Sequence, residues 1–283
     1  MKVAFFGTPS FAVESLRALH ESSEHEVVCV VTQPDRVSGR GQISSFSPVK
    51  QFAIENMITV YQPERISKSI DECPKIKDCD VIVTCAFGQI LRQNVIDYCR
   101  FGVINVHYSV LPKYRGACPV NMAIVHGETK TGITIMQTDI GVDTGDIWTI
   151  EEINILPQET TGELLERLSP IGAKLLVKTL TAIESESIHR VPQDNDSATY
   201  YPMLKKEDGR IDMTKSPRDI VNFVRGMNPW PCAFASSNYG DIKIHKASIG
   251  VSGNVQFDIV QAPGSRTMTW KEFVNGRKDI EFK

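Results

Sequence analysis

The stretch INVHYSVLPKYRG, residues 104–116, decides how this sequence is interpreted. It begins as an apolar, β-branched run and passes into a turn around Leu111-Pro112. Residues two apart on a strand face the same side of a sheet, so Asn105 and His107 point the same way where the strand ends. Alone, Asn105 is typical of a turn and His107 of a satisfied core histidine. Together they indicate half of an active site.

Similar apolar runs recur along the first two thirds of the chain and alternate with helical patterns. Strands are predicted at residues 2–6, 26–32, 81–87, 102–107 and 131–137, and helices at 10–22, 47–57, 119–127 and 160–185, the last interrupted near Ser169-Pro170. Near-continuous apolar strands separated by amphipathic helices predict a parallel-rich sheet covered on both faces. The fold class is therefore α/β, with a Rossmann-like domain over residues 1–188.

The last third of the chain has a different character. Residues 189–205 are polar and aperiodic, which predicts a linker. Beyond them, residues 206–283 carry short β patterns at 233–237, 242–250 and 255–261, and they form a predicted small β-rich domain. This segment has 12 Lys and Arg against 9 Asp and Glu, a net +3 in a chain whose net charge is −3. That balance weakly favours contact with a polyanion.

Composition excludes several classes of protein. Of the 283 residues, 41% are hydrophobic and 23% charged, as in ordinary globular proteins. The sequence has no 18-residue apolar run and no signal-peptide pattern, so we expect a cytoplasmic protein with no membrane partner. Seven Cys occur without a Cys-x-x-Cys pair, which predicts reduced, buried thiols and no metal site.

The glycine of FFGTP, Gly7, ends the first predicted strand, where a dinucleotide fingerprint would start. The G-x-G-x-x-G pattern is missing, because Thr8 and Pro9 follow, so we expect no NAD or FAD.

A second polar cluster, QTDIGVDTGDIW at residues 137–148, follows the strand predicted at 131–137. Its aspartates suit a solvated turn or a functional carboxylate loop, whereas the distal Glu of an EF-hand calcium site is absent.

A carboxylate from this loop beside His107 would orient the imidazole, and the NH₂ of Asn105 could donate to a developing oxyanion. No side chain is placed as a nucleophile, because Ser109 lies two residues beyond His107 and no G-x-S-x-G elbow occurs. The nucleophile would then come with the substrate. These residues predict acyl transfer to an external nucleophile without a covalent enzyme intermediate.

The motif NVHYSVLPKYRGACPV resembles the N-x-H-x-S-x-L-P-x-x-R-G signature of the folate-dependent formyltransferases, and DTGD at 143–146 resembles their aspartate loop. TQPDRVSGRG at 32–41 and NPWP at 228–231 are similar to members whose acceptor is a tRNA. The resemblance covers nearly the whole chain. It implies transfer of formyl from 10-formyltetrahydrofolate to the amino group of initiator methionyl-tRNA, for translation initiation, by a monomer without a metal.

The resemblance also implies roles for individual residues. Asn105 would bind the oxyanion, His107 would act as general acid and proton shuttle, and Asp143 would hold His107 and help accept the amine proton. Arg40 and Tyr108 would contact the acceptor substrate, and the C-terminal domain would be an OB-like barrel on the tRNA backbone. Folate would be bound by Phe87, Gly88, Gln89, Ile90, Leu91, Ser109, Leu111, Pro112 and Asp139.

The sequence departs from the family at several points. Gln42-Ile43 stands where a pair of lysines is usual, and Tyr108 stands where a small residue is usual. The C-terminal domain is shorter by about twenty residues, roughly two strands at the usual strand length. These departures keep two alternatives open: a formyltransferase for a small amine such as an amino sugar nucleotide, and a non-catalytic folate- or RNA-binding protein.

Overall fold

A computed structural model of the chain describes residues 1–38, 43–277 and 279–282. The chain divides into two compact units. The first unit comprises residues 1–115, 132–152 and 166–199, and the second comprises 116–131, 153–165 and 200–283. The two units interleave along the sequence, so the linear boundaries expected at 188 and 206 stay predictions.

Fifteen strands and eight α-helices lie within the described ranges. The strands are β1 (Lys2–Gly7), β2 (Glu26–Val31), β3 (Arg36–Ser38), β4 (Ile43–Ser45), β5 (Thr59–Tyr61), β6 (Val81–Cys85), β7 (Val103–His107), β8 (Arg115–Gly116), β9 (Lys130–Gln137), β10 (Ile147–Asn154), β11 (Tyr200–Tyr201), β12 (Ala233–Ser237), β13 (Gly240–Ile249), β14 (Val255–Gln261) and β15 (Met268–Thr269). The helices are α1 (Ser10–His20), α2 (Pro48–Glu55), α3 (Ile66–Ser69), α4 (Gln93–Ile96), α5 (Pro119–Val125), α6 (Thr161–Glu184), α7 (Pro217–Gly226) and α8 (Trp270–Val274). Short 3₁₀ helices lie at Ile70–Glu72, Pro74–Asp78, Asn195–Ser197 and Lys206–Gly209.

A seven-stranded sheet organises the first unit, in the order β10-β9-β7-β6-β1-β2-β5. The pairs β1–β2, β1–β6, β2–β5 and β6–β7 are parallel, and β7–β9 is antiparallel. Every residue of β6 is buried, as expected for a strand covered on both faces. The predicted α/β class with a parallel-rich, Rossmann-like sheet is confirmed.

Helix α6 differs from its predicted form, because it continues through Pro170 instead of breaking there. Proline in a helix removes a backbone hydrogen bond and costs about 3 kcal/mol. Buried Leu168 precedes the proline and buried Leu176 follows it. Packing on both sides therefore offsets the local cost and keeps one helix.

The second unit contains a four-stranded antiparallel sheet in the order β12-β13-β14-β15. Helix α7 begins at Pro217 after Ser216, whose hydroxyl caps the backbone N–H of Asp219. Its buried residues join a core with Ile242, Ile244 and other strand residues. The small β-rich domain is confirmed, but in the described part of the chain its four strands form an open sheet rather than the expected OB-like barrel.

All seven cysteines are buried and free of disulfides, as the sequence predicted. Four of them, Cys29, Cys73, Cys79 and Cys99, lie in one apolar cluster of the first unit. Each helix in the described ranges is too short or too polar to cross a bilayer.

Candidate active site

The parallel strands β1, β6 and β7 end at one edge of the seven-stranded sheet, with Gly7 beside Cys85 in the register. His107 is the last residue of β7 and is buried. Its Nε2 donates to the carbonyl oxygen of Tyr114 at 2.9 Å, because a carbonyl can only accept. Nδ1 is left on the other side of the ring, 3.7 Å from Oδ2 of Asp143. The imidazole is therefore held by one nitrogen and faces a carboxylate with the other.

Asn105 lies two residues before His107 on β7 and is half-buried. The Thr84 hydroxyl, on the neighbouring strand β6, donates to its Oδ1 at 2.9 Å. Among the described residues, no acceptor is hydrogen-bonded to the Asn105 NH₂ group. The contact with Thr84 thus fixes the orientation of the Asn105 amide and leaves both N–H donors of its NH₂ group for a substrate. Thr84 is not among the site residues predicted from the sequence.

The turn after β7 is tied to strand β9. Thr134, opposite His107 in the register, donates to the carbonyl of Ser109 at 2.7 Å and accepts from the backbone N–H of Leu111 at 3.2 Å. The Ser109 hydroxyl donates to the carbonyl of Lys113 at 2.8 Å. Because that hydroxyl is buried within the turn, Ser109 is not placed as a nucleophile. The peptide bond between Leu111 and Pro112 is cis.

The loop after β9 brings the carboxylate to the histidine. Oδ1 of Asp139 accepts from the Thr144 hydroxyl at 2.6 Å and from the N–H of Gly141 at 3.1 Å, which closes a tight turn. A Cβ at Gly145 would lie 1.9 Å from the carbonyl oxygen of Gln137. Asp143 adopts a left-handed φ of 51°. We call residues 138–146 the aspartate loop.

Two residues distant in sequence hold this loop, and neither is among the site residues predicted from the sequence. Gln193 donates through Nε2 to the carbonyl oxygens of Asp143 and Gly145, at 2.9 and 2.6 Å. Its Oε1 accepts from Arg115, whose side chain is buried. Arg115 lies in the opening motif, but Gln193 carries no local signal.

A cleft of about 700 Å³ opens beside the loop in the first unit. Its lining includes Ile96, Gly102, Thr138, Asp139 and Ile140. The hydroxyl of Thr138 is buried and has no hydrogen-bond partner in the described residues. A buried, unpaired hydroxyl costs free energy, and because this oxygen has almost no accessible surface it is not presented to the cleft.

The segment after β6 is pinned by side chains rather than by regular structure. The carbonyl of Phe87 accepts from Thr8 and from Gln33, both at 3.1 Å. Both ends of the Gln89 side chain bind the backbone, to Ile66 N–H and Pro63 carbonyl. Gly88 has a φ of 84°, Leu91 packs on the apolar cluster, and Ile90 is exposed. The segment thus combines a fixed backbone with an exposed apolar side chain.

The side chain of Tyr108 is packed in the interior. Its ring is buried edge-on against Phe11, and its hydroxyl lies 3.7 Å from Sγ of Cys85. Burial raises the pKa of Tyr108 well above its usual range and that of Cys85 to about 11. Neither group is prepared as an anion. Arg40, the other residue assigned to the acceptor substrate, lies outside the described residues.

The first unit therefore defines the site of an α/β group-transfer protein: an amide and an imidazole on one strand face a carboxylate from the aspartate loop, and other residues of that loop line a cleft. Within the described ranges, no cluster of three His, Cys, Asp or Glu side chains could hold a metal ion. The geometry supports transfer between two bound substrates.

Comparison with known proteins identifies the family. The formyl transferase family model matches residues 1–180, and the model of the formyl transferase C-terminal domain matches 203–254. A methionyl-tRNA formyltransferase of Acetivibrio thermocellus is 43% identical over 98% of this chain and 97% of its own length. Its counterpart in Lachnospira eligens is 46% identical over 88% of this chain and 79% of its own length. The chain therefore belongs to the methionyl-tRNA formyltransferase family, which confirms the resemblance carried by its motifs.

Solved structures support the fold. The methionyl-tRNA formyltransferase from Clostridium thermocellum has a TM-score of 0.66 at 18% identity, covering 93% of this chain and 98% of its own. An N-formyltransferase from Helicobacter canadensis, in complex with folinic acid and dTDP-3-aminofucose, has a TM-score of 0.65 at 21% identity, covering 88% of each chain. At such identities, the likeness concerns the fold alone.

Proposed function

We propose that this protein transfers the formyl group of 10-formyltetrahydrofolate to the amino group of methionine on initiator methionyl-tRNA. The observation that carries the proposal is the approach of His107 Nδ1 to the Asp143 carboxylate, 3.7 Å apart, with Asn105 on the same face of β7. The relatives that span the whole chain and bear the name methionyl-tRNA formyltransferase support this choice of acceptor.

The chemistry follows from the donors and acceptors of these three side chains. The amine nitrogen attacks the formyl carbon, and the carbonyl electrons move to oxygen. Asn105 donates a hydrogen bond from its NH₂ group to that oxyanion. His107 acts as the imidazolium: one ring proton stays on Nε2 and is donated to Tyr114, and the second, on Nδ1, is donated to the oxyanion. The bond from the formyl carbon to N10 of folate then breaks. The proton lost by the amine passes by way of His107 and Asp143 to N10.

Folate would bind along the cleft and the segment after β6. A pterin ring is flat and edged with donors and acceptors, which suits the Asp139 carboxylate in the lining of the cleft. The backbone of Phe87, Gly88 and Gln89, with the side chains of Ile90 and Leu91, would line the ring. Ser109, Leu111 and Pro112 would act through the shape of the turn that carries Tyr114.

The tRNA would be bound by residues other than the three that carry the chemistry. The +3 charge of residues 206–283 and Arg40 are the features that support contact with its phosphates. Tyr108 has no part in the proposed site, because its ring is buried against Phe11. We take the protein to act as a monomer in the cytoplasm.

A formyl-transfer assay tests the proposal. Purified protein is incubated with 10-formyltetrahydrofolate and one of three acceptors: initiator methionyl-tRNA, free methionine or an amino sugar nucleotide. We expect formylation of the charged tRNA alone, with the His107→Ala variant as the inactive control. Transfer only to the sugar nucleotide would establish the small-amine alternative, and folate binding without transfer to any acceptor would indicate a non-catalytic protein.

A further inference from the structure

The Gln193 side chain uses its full hydrogen-bonding capacity. Oε1 accepts from Nε and Nη2 of Arg115 at 3.1 and 2.7 Å, and Nε2 donates to the carbonyls of Asp143 and Gly145. A guanidinium group only donates and a carbonyl only accepts, so the amide has a single orientation. Gln193 is itself buried. Gln193 therefore links Arg115 to the aspartate loop: it accepts from the guanidinium on one side and donates to the loop carbonyls on the other.

Arg115 is fixed by more than Gln193. Its Nη2 also donates to Oδ1 of Asn195 at 2.8 Å. Asn195 begins a short 3₁₀ helix capped by the Asp194 side chain, which accepts from the backbone N–H of Asp196. The guanidinium is therefore anchored at two points, of which only Gln193 touches the aspartate loop.

The backbone that Gln193 holds includes Asp143, whose carboxylate faces His107. Asp143 has a φ of 51°, in the left-handed region that residues with a side chain seldom adopt. The peptide carbonyls of Asp143 and Gly145 bracket Thr144, so one amide group restrains the backbone on both sides of the turn. The same stretch of backbone carries the Asp143 side chain, whose Oδ2 lies 3.7 Å from His107 Nδ1.

We propose that Gln193, held by Arg115, is a positioning residue that keeps the Asp143 carboxylate directed at His107 during formyl transfer. This inference rests on the proposed function and adds two residues to it, one of them about fifty positions from Asp143 in sequence. Gln193 acts through Asp143 and touches neither substrate.

The Gln193→Glu variant separates the two sides of this side chain. Glutamate has almost the same shape and still accepts from Arg115, but it cannot donate to the two carbonyls. We expect kcat for formyl transfer to fall about 10- to 100-fold, as misplacement of a catalytic group by about 1 Å would predict. KM values for folate and methionyl-tRNA should change less than threefold. Asn56→Asp, which likewise removes a side-chain amide donor from a backbone carbonyl, that of Phe52, is the matched control outside the site and should keep kcat within threefold.

A double-mutant cycle with Asp143→Asn distinguishes positioning from general structural damage. Asparagine tolerates the left-handed φ, so this variant removes the charge and leaves the loop. If Gln193 acts through Asp143, adding Gln193→Glu to Asp143→Asn should cost less than twofold. Full additivity, or a wild-type kcat for Gln193→Glu alone, overturns the inference. A wild-type kcat for Asp143→Asn would remove Asp143, and Gln193 with it, from the mechanism while formyl transfer itself stands. The proposed function fails only if the wild-type protein transfers no formyl to methionyl-tRNA, so the two failures are distinguishable.

Discussion

Strand β7 and the aspartate loop each supply one half of the His107–Asp143 pair, and they are built in opposite ways. The strand residue is positioned by backbone pairing, since β7 is hydrogen-bonded to β6 on one side and to β9 on the other. The loop residue is positioned by side chains, among them Gln193. The position of His107 follows from the alternation along its strand. The position of Asp143 depends on a contact with Gln193 that no local sequence pattern predicts.

This difference predicts where the site tolerates change. Neighbouring strands restrain β7 at many points, so replacing one of its side chains should remove chemistry without moving the backbone. The aspartate loop has fewer restraints, so a substitution there should displace the carboxylate even where it removes no reactive group. Variants of β7 should therefore lose activity with little change in stability, whereas variants of the aspartate loop should lose both.

On the strand side, His107→Ala gives the largest expected effect. Loss of the general acid should lower kcat about 10²–10⁴-fold, while the affinity for folate is nearly kept. Steady-state kinetics and folate titration measure the two quantities. His189→Ala, at an exposed position, is the control. An unchanged kcat for His107→Ala would remove the histidine from the mechanism.

On the loop side, Gly145→Ala tests the steric requirement. The added Cβ would lie 1.9 Å from the Gln137 carbonyl, so the loop has to shift. We expect kcat to fall about 10- to 100-fold with a smaller loss of thermal stability. Gly250→Ala is the control, because its Cβ would meet its nearest neighbour at 3.4 Å, an ordinary contact. Equal activity of both variants would contradict the view that the loop is tightly constrained.

Thr84→Val should have a more modest effect within the sheet. Valine keeps the shape but loses the hydroxyl that donates to Oδ1 of Asn105. A neutral hydrogen bond contributes about 1 kcal/mol, so kcat should fall about 3- to 10-fold. Thr149→Val, another strand threonine whose hydroxyl is paired with Thr179, is the control. A larger loss for the control would show that orientation of Asn105 is not what Thr84 contributes.

Asp194→Ala should have the smallest effect, and one that depends on pH. Hydrogen bonds from Ser197 and from the backbone of Asp196 lower the pKa of Asp194. Its contribution to stability is thus complete above the unfolded-state pKa of about 3.9 and is lost as the pH falls through the lower folded-state value. Thermal unfolding of wild type and variant should differ slightly at pH 7 and coincide in strong acid. A difference that is constant with pH would contradict this assignment.

The predictable part of the site coincides with the regular part of the fold. Alternation along β7 placed Asn105 and His107 on one face, and the Asp-Gly pattern marked the loop of Asp143. Tyr108 shows the limit of motif reasoning, because the same alternation turns its ring into the packed interior against Phe11. Gln193 could not be found at all, since its contacts with the loop span 48 and 50 residues.

The elements that escaped prediction are those whose stability comes from tertiary contacts. Strand β5 has three residues, all only partly buried, and gives no periodic signal of its own. Strand β10 is polar in its middle and is defined by its place at the edge of the sheet. Continuation of α6 through Pro170 likewise depends on packing around Leu168 and Leu176. Local propensity carries none of this information.

Because all seven cysteines are buried, a thiol reagent can label them only when the structure around them opens. A thiol-alkylating reagent reacts with the thiolate, and burial raises the pKa of Cys99 to about 12, so the closed protein should label slowly. Cys99 lies in the core of the first unit and Cys232 in the second. Mass spectrometry of peptides alkylated over time would therefore record separately how often each unit opens, without any added probe.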